Sequence, residues 1–109
     1  MGMIGNPVID EAFRAIADPT RRAVLDLLAD GERPVNDLVG RFNMTQPAMS
    51  QHLRVLRRAG LVADRRAGRD RVYRIRPERL KQVADWVGQY ERFWKRKLGD
   101  LGTFLERDS

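Results

Sequence analysis

Side chains that can hydrogen-bond to nucleic acid bases are concentrated in residues 45–62, Thr-Gln-Pro-Ala-Met-Ser-Gln-His-Leu-Arg-Val-Leu-Arg-Arg-Ala-Gly-Leu-Val. Small and amide side chains come first, and arginines follow. At 100° per residue, one side of a helix would carry Pro47, Ser50, Gln51, Arg54 and Arg58. In a DNA major groove, amides and arginines hydrogen-bond to base edges, while the N-terminus of the helix meets phosphate. The stretch therefore predicts a helix that contacts DNA bases.

Both ends of this helix are marked in the sequence. Thr45 can cap it by accepting a hydrogen bond from a free backbone N–H of the first turn. Pro47 falls in that turn, where the N–H that proline lacks would have no intrahelical partner. Gly60 suits the left-handed turn that ends a helix. The opposite side, which we expect to face a core, carries Met49, His52, Leu53 and Leu56.

The positive charge of the chain is concentrated beside this helix. The 109 residues carry a net charge of +6 and no cysteine, and 42% of them are hydrophobic, which indicates one ordinary folded domain. Residues 54–76 hold nine arginines and two aspartates, a local charge of +7, so all other residues together carry −1. A charge that served solubility alone would be spread more evenly. The concentration favours contact with nucleic acid.

Three helices are predicted before this stretch. The first covers Pro7–Ala17, and the second begins at Pro19 with Asp18 as its cap. Pro34 opens a short third helix, and the turn at residues 43–44 leads to Thr45. Two short helices joined by a tight turn predict a helix-turn-helix motif. The two arginines after Pro19 are interpreted as a solvated first turn, with a phosphate contact as the alternative.

A small β-hairpin is predicted after the helix-turn-helix. Its strands are Leu61–Arg66 and Arg71–Arg76, and residues 67–70 form the turn. Tyr73 and Ile75 share one face of the second strand. The arginines near the tip can reach phosphates or the minor groove. The alternative is a hairpin whose basic face is only solvated.

These segments resemble the winged helix-turn-helix regulators of the arsenic-repressor (ArsR) type. The resemblance rests on residues 50–62, on Arg66-Ala-Gly-Arg69, on Val72-Tyr-Arg-Ile75 and on Asp18-Pro-Thr-Arg-Arg22, in the order of the family. It implies a mostly α fold with a small β-hairpin, and a transcriptional regulator, most often a repressor, that binds double-stranded operator DNA. The predicted DNA contacts are Thr45, Gln46, Pro47, Ser50, Gln51, His52, Arg54, Arg57, Arg58, Arg66, Arg69 and Arg71.

A last helix is predicted from Pro77 to about Leu105, with an apolar stripe at heptad spacing and aromatic side chains beside it. One small domain cannot easily bury so wide a stripe, so a homodimer is predicted. The whole chain, 1–109, is expected to be one domain, with the core and wing at about 8–76 and the dimerisation helix at about 77–106. The predicted interface is Phe13, Val83, Trp86, Val87, Tyr90, Trp94 and Leu98. A cofactor box is the less favoured interpretation of the aromatic group.

Many regulators of the ArsR type sense metals through the helix motif Glu-Leu-Cys-Val-Cys-Asp-Leu. The corresponding residues here are Glu32-Arg-Pro-Val-Asn-Asp-Leu38, in which proline and asparagine stand where the thiolates would be. Neither can replace a soft thiolate donor. His52 is the only histidine, so the last helix has none either. We therefore expect no metal and no other cofactor. A small-molecule effector, if one exists, stays unidentified.

Other classes of function remain as alternatives. With one histidine, no cysteine and no distinctive carboxylate pair, an enzyme is not expected. A module that binds another protein through the aromatic last helix is the main alternative. Membrane binding is less favoured because the arginines lie in the hairpin and not along an apolar helix. RNA binding would favour exposed aromatics, whereas Tyr73, the only aromatic residue in the basic region, alternates inward. The N-terminal residues resemble neither a signal peptide nor a lipidation site, so a cytoplasmic protein is expected.

Overall fold

The computed structural model describes residues 7–93 and 95–99. Up to Gly88, the elements follow one another in the order α1 (Pro7–Ile16), α2 (Pro19–Ala29), β1 (Arg33–Pro34), α3 (Val35–Phe42), α4 (Gln46–Arg58), β2 (Val62–Ala67), β3 (Asp70–Ile75) and α5 (Pro77–Gly88). Within the described part of the chain, no helix is long and apolar enough to cross a membrane. The order is that of a winged helix-turn-helix, as predicted.

The start of α2 has the predicted cap. The Asp18 carboxylate accepts a hydrogen bond from the backbone N–H of Arg21 at 3.0 Å, and Pro19 occupies the first turn. The turn between α3 and α4 depends on Asn43, which has a φ of 50° in the left-handed region. Asparagine tolerates this conformation better than most residues. The chain can therefore reverse within three residues and begin α4.

The core is built from short apolar faces of every helix together with the first residues of β2. Met49, Leu53 and Leu56 of α4 are fully buried, as their spacing predicted. The other buried side chains include Ala12, Val24, Leu28, Leu38 and Leu61. Tyr73 and Ile75 pack against this cluster from β3, also as predicted. The α4 helix therefore lies with one side on the core and the other outward.

The sheet has three antiparallel strands in the order β1-β3-β2. The shortest strand, β1, was not predicted from the sequence. Arg33 pairs with Tyr73 and Pro34 with Val72. The prediction that Pro34 opens α3 is wrong by one residue, since Pro34 lies in β1 and at the cap position before Val35. A two-residue strand has no periodicity, so its pairing depends on the fold around it.

The hairpin between β2 and β3 is tighter than predicted. Ala67 pairs directly with Asp70, which leaves only Gly68 and Arg69 in the turn. Gly68 has a φ of +65°, a conformation that glycine adopts without the steric penalty of a side chain. Each predicted strand is shifted by one residue as a result. We call this hairpin, residues 62–75, the wing.

The prediction of one uninterrupted last helix to about Leu105 is wrong. Helix α5 ends at Gly88, and the backbone turns at Gln89 and Tyr90 before helical structure resumes at residues 91–93 and 95–99. The turn is closed by short-range bonds, such as that from the N–H of Tyr90 to the carbonyl of Val87 at 3.0 Å. Glycine is a poor residue for a helix interior, which fits a break at this point. Residues 94 and 100–109, including Trp94, lie outside the described residues.

Candidate nucleic-acid interface

The outward side of α4 carries most of the predicted base-reading residues. Gln46, Pro47, Gln51 and Arg54 are exposed, and Ser50 is half-buried beside them. Thr45 caps the helix, because its Oγ1 accepts a hydrogen bond from the backbone N–H of Ala48 at 3.2 Å. The helix thus presents an amide-rich first half, with arginine following, on a surface that the core holds in place.

The end of α4 is fixed by the backbone. The N–H of Leu61 bonds to the carbonyl of Leu56, and the N–H of Gly60 bonds to that of Arg57, both at 3.0 Å. This pair of bonds is the Schellman motif, and Gly60 has the left-handed φ of +76° that it requires. The motif turns the chain directly into β2. As a result, the wing follows the basic end of α4 without a flexible linker.

His52 lies at the edge of the helix, turned toward the start of α2. Its Nδ1 is 3.4 Å from Nη1 of Arg21 and 3.9 Å from Oδ2 of Asp18, and its side chain is 23% exposed. The guanidinium of Arg21 also donates to the carbonyls of Ala15 and Arg14. The Arg21 guanidinium is therefore engaged inside the domain, in contrast to the solvated first turn expected there. Nδ1 of His52 thus faces the start of α2, and Nε2 is the ring nitrogen that is left for a contact with phosphate.

Arginines of the wing form the second part of the surface. Arg66, Arg69 and Arg71 are all exposed, and Arg66 faces Arg71 across the two strands. Arg57 and Arg58, at the end of α4, are exposed as well. Arg57 and Arg71 lie fourteen residues apart in the sequence, and the structure brings both of them beside Asp64.

Asp64 connects these two groups, a role that the sequence analysis missed. Its Oδ1 lies 3.4 Å from Nη1 of Arg57 and its Oδ2 lies 3.0 Å from Nη1 of Arg71. Tyr73 is opposite Asp64 on β3, and burial raises the pKa of its phenol, to which the negative charge of Asp64 adds. The available signal was that Asp64 is one of only two acids among nine arginines, seven residues from both partners.

Other ion pairs fix the elements that support the surface. Asp37 of α3 accepts from Nε of Arg41 and from Nη1 of Arg33, each at 3.0 Å. The hydrogen bond from Arg41, and then that from Arg33, lowers the pKa of Asp37. Arg65 of β2 pairs with Glu32, just before β1. The sheet is thus linked to the turn before α3 through side chains as well as through its backbone.

An exposed apolar surface lies on α5 and the helical residues that follow it. Trp86 stacks edge-to-face on Phe13 of α1 and on Tyr90, with ring centroids 5.3 and 5.2 Å apart. The exposed fractions are 43% for Trp86 and 64% for Phe93. We call this set the α5 face: its exposed members are Trp86, Val87, Tyr90, Phe93 and Leu98, and it includes the half-buried Phe13 of α1, which stacks on Trp86.

One member of the predicted dimer interface is misplaced. Val83 is only 9% exposed and packs into the core of its own chain, so it is not available for a partner. Helical spacing predicts that these apolar side chains lie along one stripe of the helix. It does not show which of them pack against their own subunit and which stay exposed. Phe13, Trp86, Val87, Tyr90 and Leu98 remain candidates.

A polar helix backed by an apolar core, followed by a basic wing, defines a DNA-binding domain of the winged helix-turn-helix class. Residues 18–64 match the family model described as "Bacterial regulatory protein, arsR family". The chain belongs to this family. It is a transcriptional regulator of the ArsR type and not an enzyme, in agreement with the resemblance seen in the sequence.

Individual relatives support the assignment. The HTH-type transcriptional regulator Rv2034 of Mycobacterium tuberculosis is 44% identical over 91% of this chain and 90% of its own length. The transcriptional repressor SdpR of Bacillus subtilis is 35% identical over 72% of this chain and 88% of its own. Among solved structures, the ArsR family transcriptional regulator RHA00566 superposes with a TM-score of 0.74 at 33% identity, over 81% of this chain and 97% of that one.

Proposed function

We propose that the chain is a homodimeric repressor that occupies a near-palindromic operator and does not sense metals. The observation that carries the proposal is the set of exposed polar and basic side chains on α4 and the wing, with α4 capped by the Thr45 side chain at its start and by backbone hydrogen bonds at its end. Gln46, Pro47, Ser50, Gln51 and Arg54 contact base edges, with Thr45 at the phosphate-facing end of the helix. Backbone contacts come from His52, Arg57, Arg58, Arg66, Arg69 and Arg71.

Repression follows from occupancy of promoter DNA. Two relatives support this direction of regulation, since SdpR of Bacillus subtilis and SmtB of Mycobacterium tuberculosis are both named as repressors. Two-fold symmetry of the dimer requires a near-palindromic operator, with half-sites about 34–36 Å apart or a multiple of that distance.

The α5 face supports the dimer. Six apolar side chains, four of them aromatic, lie along α1, α5 and the residues after the turn, with Phe13 and Trp86 already stacked on each other. Patches of this kind on a small domain mark sites of protein association. A second copy can cover the patch by symmetry, which pairs the same surface with itself.

The side chains that are available as metal ligands support the proposal that the protein does not sense metals. The chain has no cysteine, and its single histidine has Arg21 beside its Nδ1. Among residues 7–93 and 95–99, no group of three or more histidine, aspartate or glutamate side chains has the arrangement of a metal site. Nδ1 of His52 also lies 3.9 Å from the Asp18 carboxylate, so it is already engaged within the domain.

The test is a titration of the protein against a fragment of its own promoter and a scrambled duplex, at two salt concentrations, with and without a chelator. We expect tight binding to the promoter that the chelator does not change. With six to ten phosphate contacts, affinity falls by roughly 10³–10⁵ between 50 and 200 mM salt. Weak and equal binding to both duplexes would contradict the proposal and would favour the alternative, a module that binds another protein through the α5 face. Binding that the chelator abolishes would contradict metal independence alone.

A further inference from the structure

Among the residues that the structure describes, Asp64 is the acidic side chain enclosed by the candidate DNA-binding surface. Its side chain is 10% exposed, whereas the side chains of Arg57 and Arg71 that hold it are 53% and 54% exposed. Arg57 lies in the last turn of α4 and Arg71 in β3, so the three residues belong to three different elements. The Asp64 carboxylate is therefore nearly buried, whereas the two arginine side chains that contact it lie at the surface of the domain.

The arrangement leaves both arginines able to bind phosphate. Each guanidinium has five N–H donors, and Asp64 accepts from one nitrogen of each. One carboxylate balances only one of the two positive charges, so the group of three keeps a net charge of +1. Because about half of each arginine side chain is exposed, phosphate oxygens can approach both of them while the contacts with Asp64 remain.

We propose that Asp64 is a positioning residue for DNA recognition, which holds Arg57 and Arg71 at a fixed spacing so that the end of α4 and the wing engage the DNA backbone together. The inference rests on the proposed DNA-binding function. Arginine side chains lose much rotamer freedom when they are immobilised on binding, and a contact that is already formed in the free protein reduces that loss.

This role has a signature that a simple charge effect lacks. A negative charge at a DNA-binding surface weakens binding to every sequence alike through repulsion of phosphate. Fixed spacing of two backbone contacts, in contrast, matters in the specific complex, where α4 is seated in register with the bases. Asp64 therefore increases the ratio of specific to non-specific affinity.

The experiment compares Asp64→Asn with the wild-type protein on two duplexes, one enriched from a random library by the wild-type protein and one scrambled from it. We expect affinity for the enriched duplex to fall roughly tenfold, as loss of order in two side chains predicts. Affinity for the scrambled duplex should stay equal or rise, because the variant carries one more positive charge. The ratio of the two affinities is the readout, since loss of folded protein would lower both affinities by the same factor.

Two matched variants complete the experiment. Asp70→Asn removes the same charge from the same wing, at an exposed residue with no ion pair among the residues that the structure describes, and should leave the ratio unchanged. Asp64→Glu keeps the carboxylate on a longer side chain and should restore part of the ratio. Equal gains in affinity on both duplexes, or no change in the ratio for Asp64→Asn, would show that Asp64 is only a charge and would overturn the proposal.

If Asp64→Asn does not fold, a double-mutant cycle on Arg57→Gln and Arg71→Gln tests the positioning role of Asp64 instead. Because both arginines share one carboxylate, their combined effect on affinity for the enriched duplex should differ from the product of the single effects by about threefold or more. Independent effects would overturn the positioning role. If the wild-type protein itself shows no selective binding, the proposed function fails as well. Selective wild-type binding with independent effects removes only the role of Asp64.

Discussion

Gln51 and Arg69 represent the two kinds of residue that a DNA-binding surface needs. Gln51 is exposed near the start of α4, and Arg69 is exposed at the tip of the wing. We expect Gln51→Ala to weaken binding to the enriched duplex by about 1–3 kcal/mol and to relax selectivity. Arg69→Ala should weaken binding to all sequences alike and lower the salt dependence by about one counterion, since it removes a phosphate contact.

Titration of both variants on the enriched and scrambled duplexes, at several salt concentrations, separates the two roles. Asn36 of α3 provides a matched control, because it is exposed and carries an amide like that of Gln51 but lies outside α4. Asn36→Ala should leave selectivity unchanged. Indistinguishable behaviour of Gln51→Ala and Arg69→Ala would contradict the division between base reader and backbone contact.

Asp18 makes stability depend on pH. The backbone N–H of Arg21 donates to its carboxylate, and this hydrogen bond lowers the pKa of Asp18 in the folded protein. A lowered folded pKa means that the carboxylate stabilises the protein above the unfolded value, about 4, and that this contribution is lost as pH falls through the folded value. Asparagine is an equally good cap but does not titrate in this range.

Urea unfolding of Asp18→Asn at pH values from about 6 down to about 3 tests this linkage. The unfolding free energy of the wild-type protein should fall more steeply with acidification than that of the variant. Asp26→Asn, which removes an exposed aspartate from the same helix, controls for the loss of one negative charge. Parallel curves for Asp18→Asn and the wild-type protein would rule out the linkage.

At the scale of the elements, replacing each of two glycines by alanine should change the stability of the protein in opposite directions. Gly60 has a φ of +76°, and a Cβ there would lie 3.0 Å from Nε of Arg79, so Gly60→Ala should destabilise the protein by about 1–2 kcal/mol. Gly40 lies inside α3 with nothing within 4 Å of an added Cβ. Gly40→Ala should stabilise it by about 0.5–1 kcal/mol, because glycine loses more conformational freedom in a helix than alanine.

Denaturant unfolding of the two variants side by side measures both effects. The substitution is the same in each, so the difference between the two variants reports the left-handed backbone of Gly60 together with the close approach of its added Cβ to Arg79. A Gly60→Ala protein as stable as the wild type would mean that the Schellman motif contributes little to the junction between α4 and β2.

At the scale of the whole molecule, the α5 face predicts self-association. Val87→Glu places a charge on an apolar side chain that is 42% exposed, so the fold of the subunit should persist while the dimer is disrupted. Light scattering should then report half the mass of the wild-type protein. Lys81→Gln changes the net charge by the same amount on a different side of α5, where Lys81 pairs with Asp85, and should keep the wild-type mass.

A folded Val87→Glu protein with the wild-type mass would contradict the proposed interface. Circular dichroism establishes that the variant is folded. If the variant is monomeric, its affinity for the enriched duplex should fall as well, since one subunit reaches only one half-site.

Local rules of the sequence determined most of the framework. The helix start at Asp18-Pro19, the cap at Thr45 and the end of α4 at Gly60 follow from bonds within a few residues, so residue type alone predicts them. The inward side of α4 was equally predictable, because helical spacing dictates which side chains face the core. The family resemblance was present in the same residues, and the match over residues 18–64 agrees with it.

Tertiary structure decided what depends on distant partners. Strand β1 exists because β3 pairs with it, and two residues alone carry no strand signal. Val83 packs inward because the core lies on that side of α5, whereas Trp86, about one helical turn further on, stays partly outside. Asp64 joins Arg57 to Arg71 only once α4 and the wing are folded against each other. Contacts within one turn of the chain are set by local geometry, but contacts between elements require the packing of the whole domain.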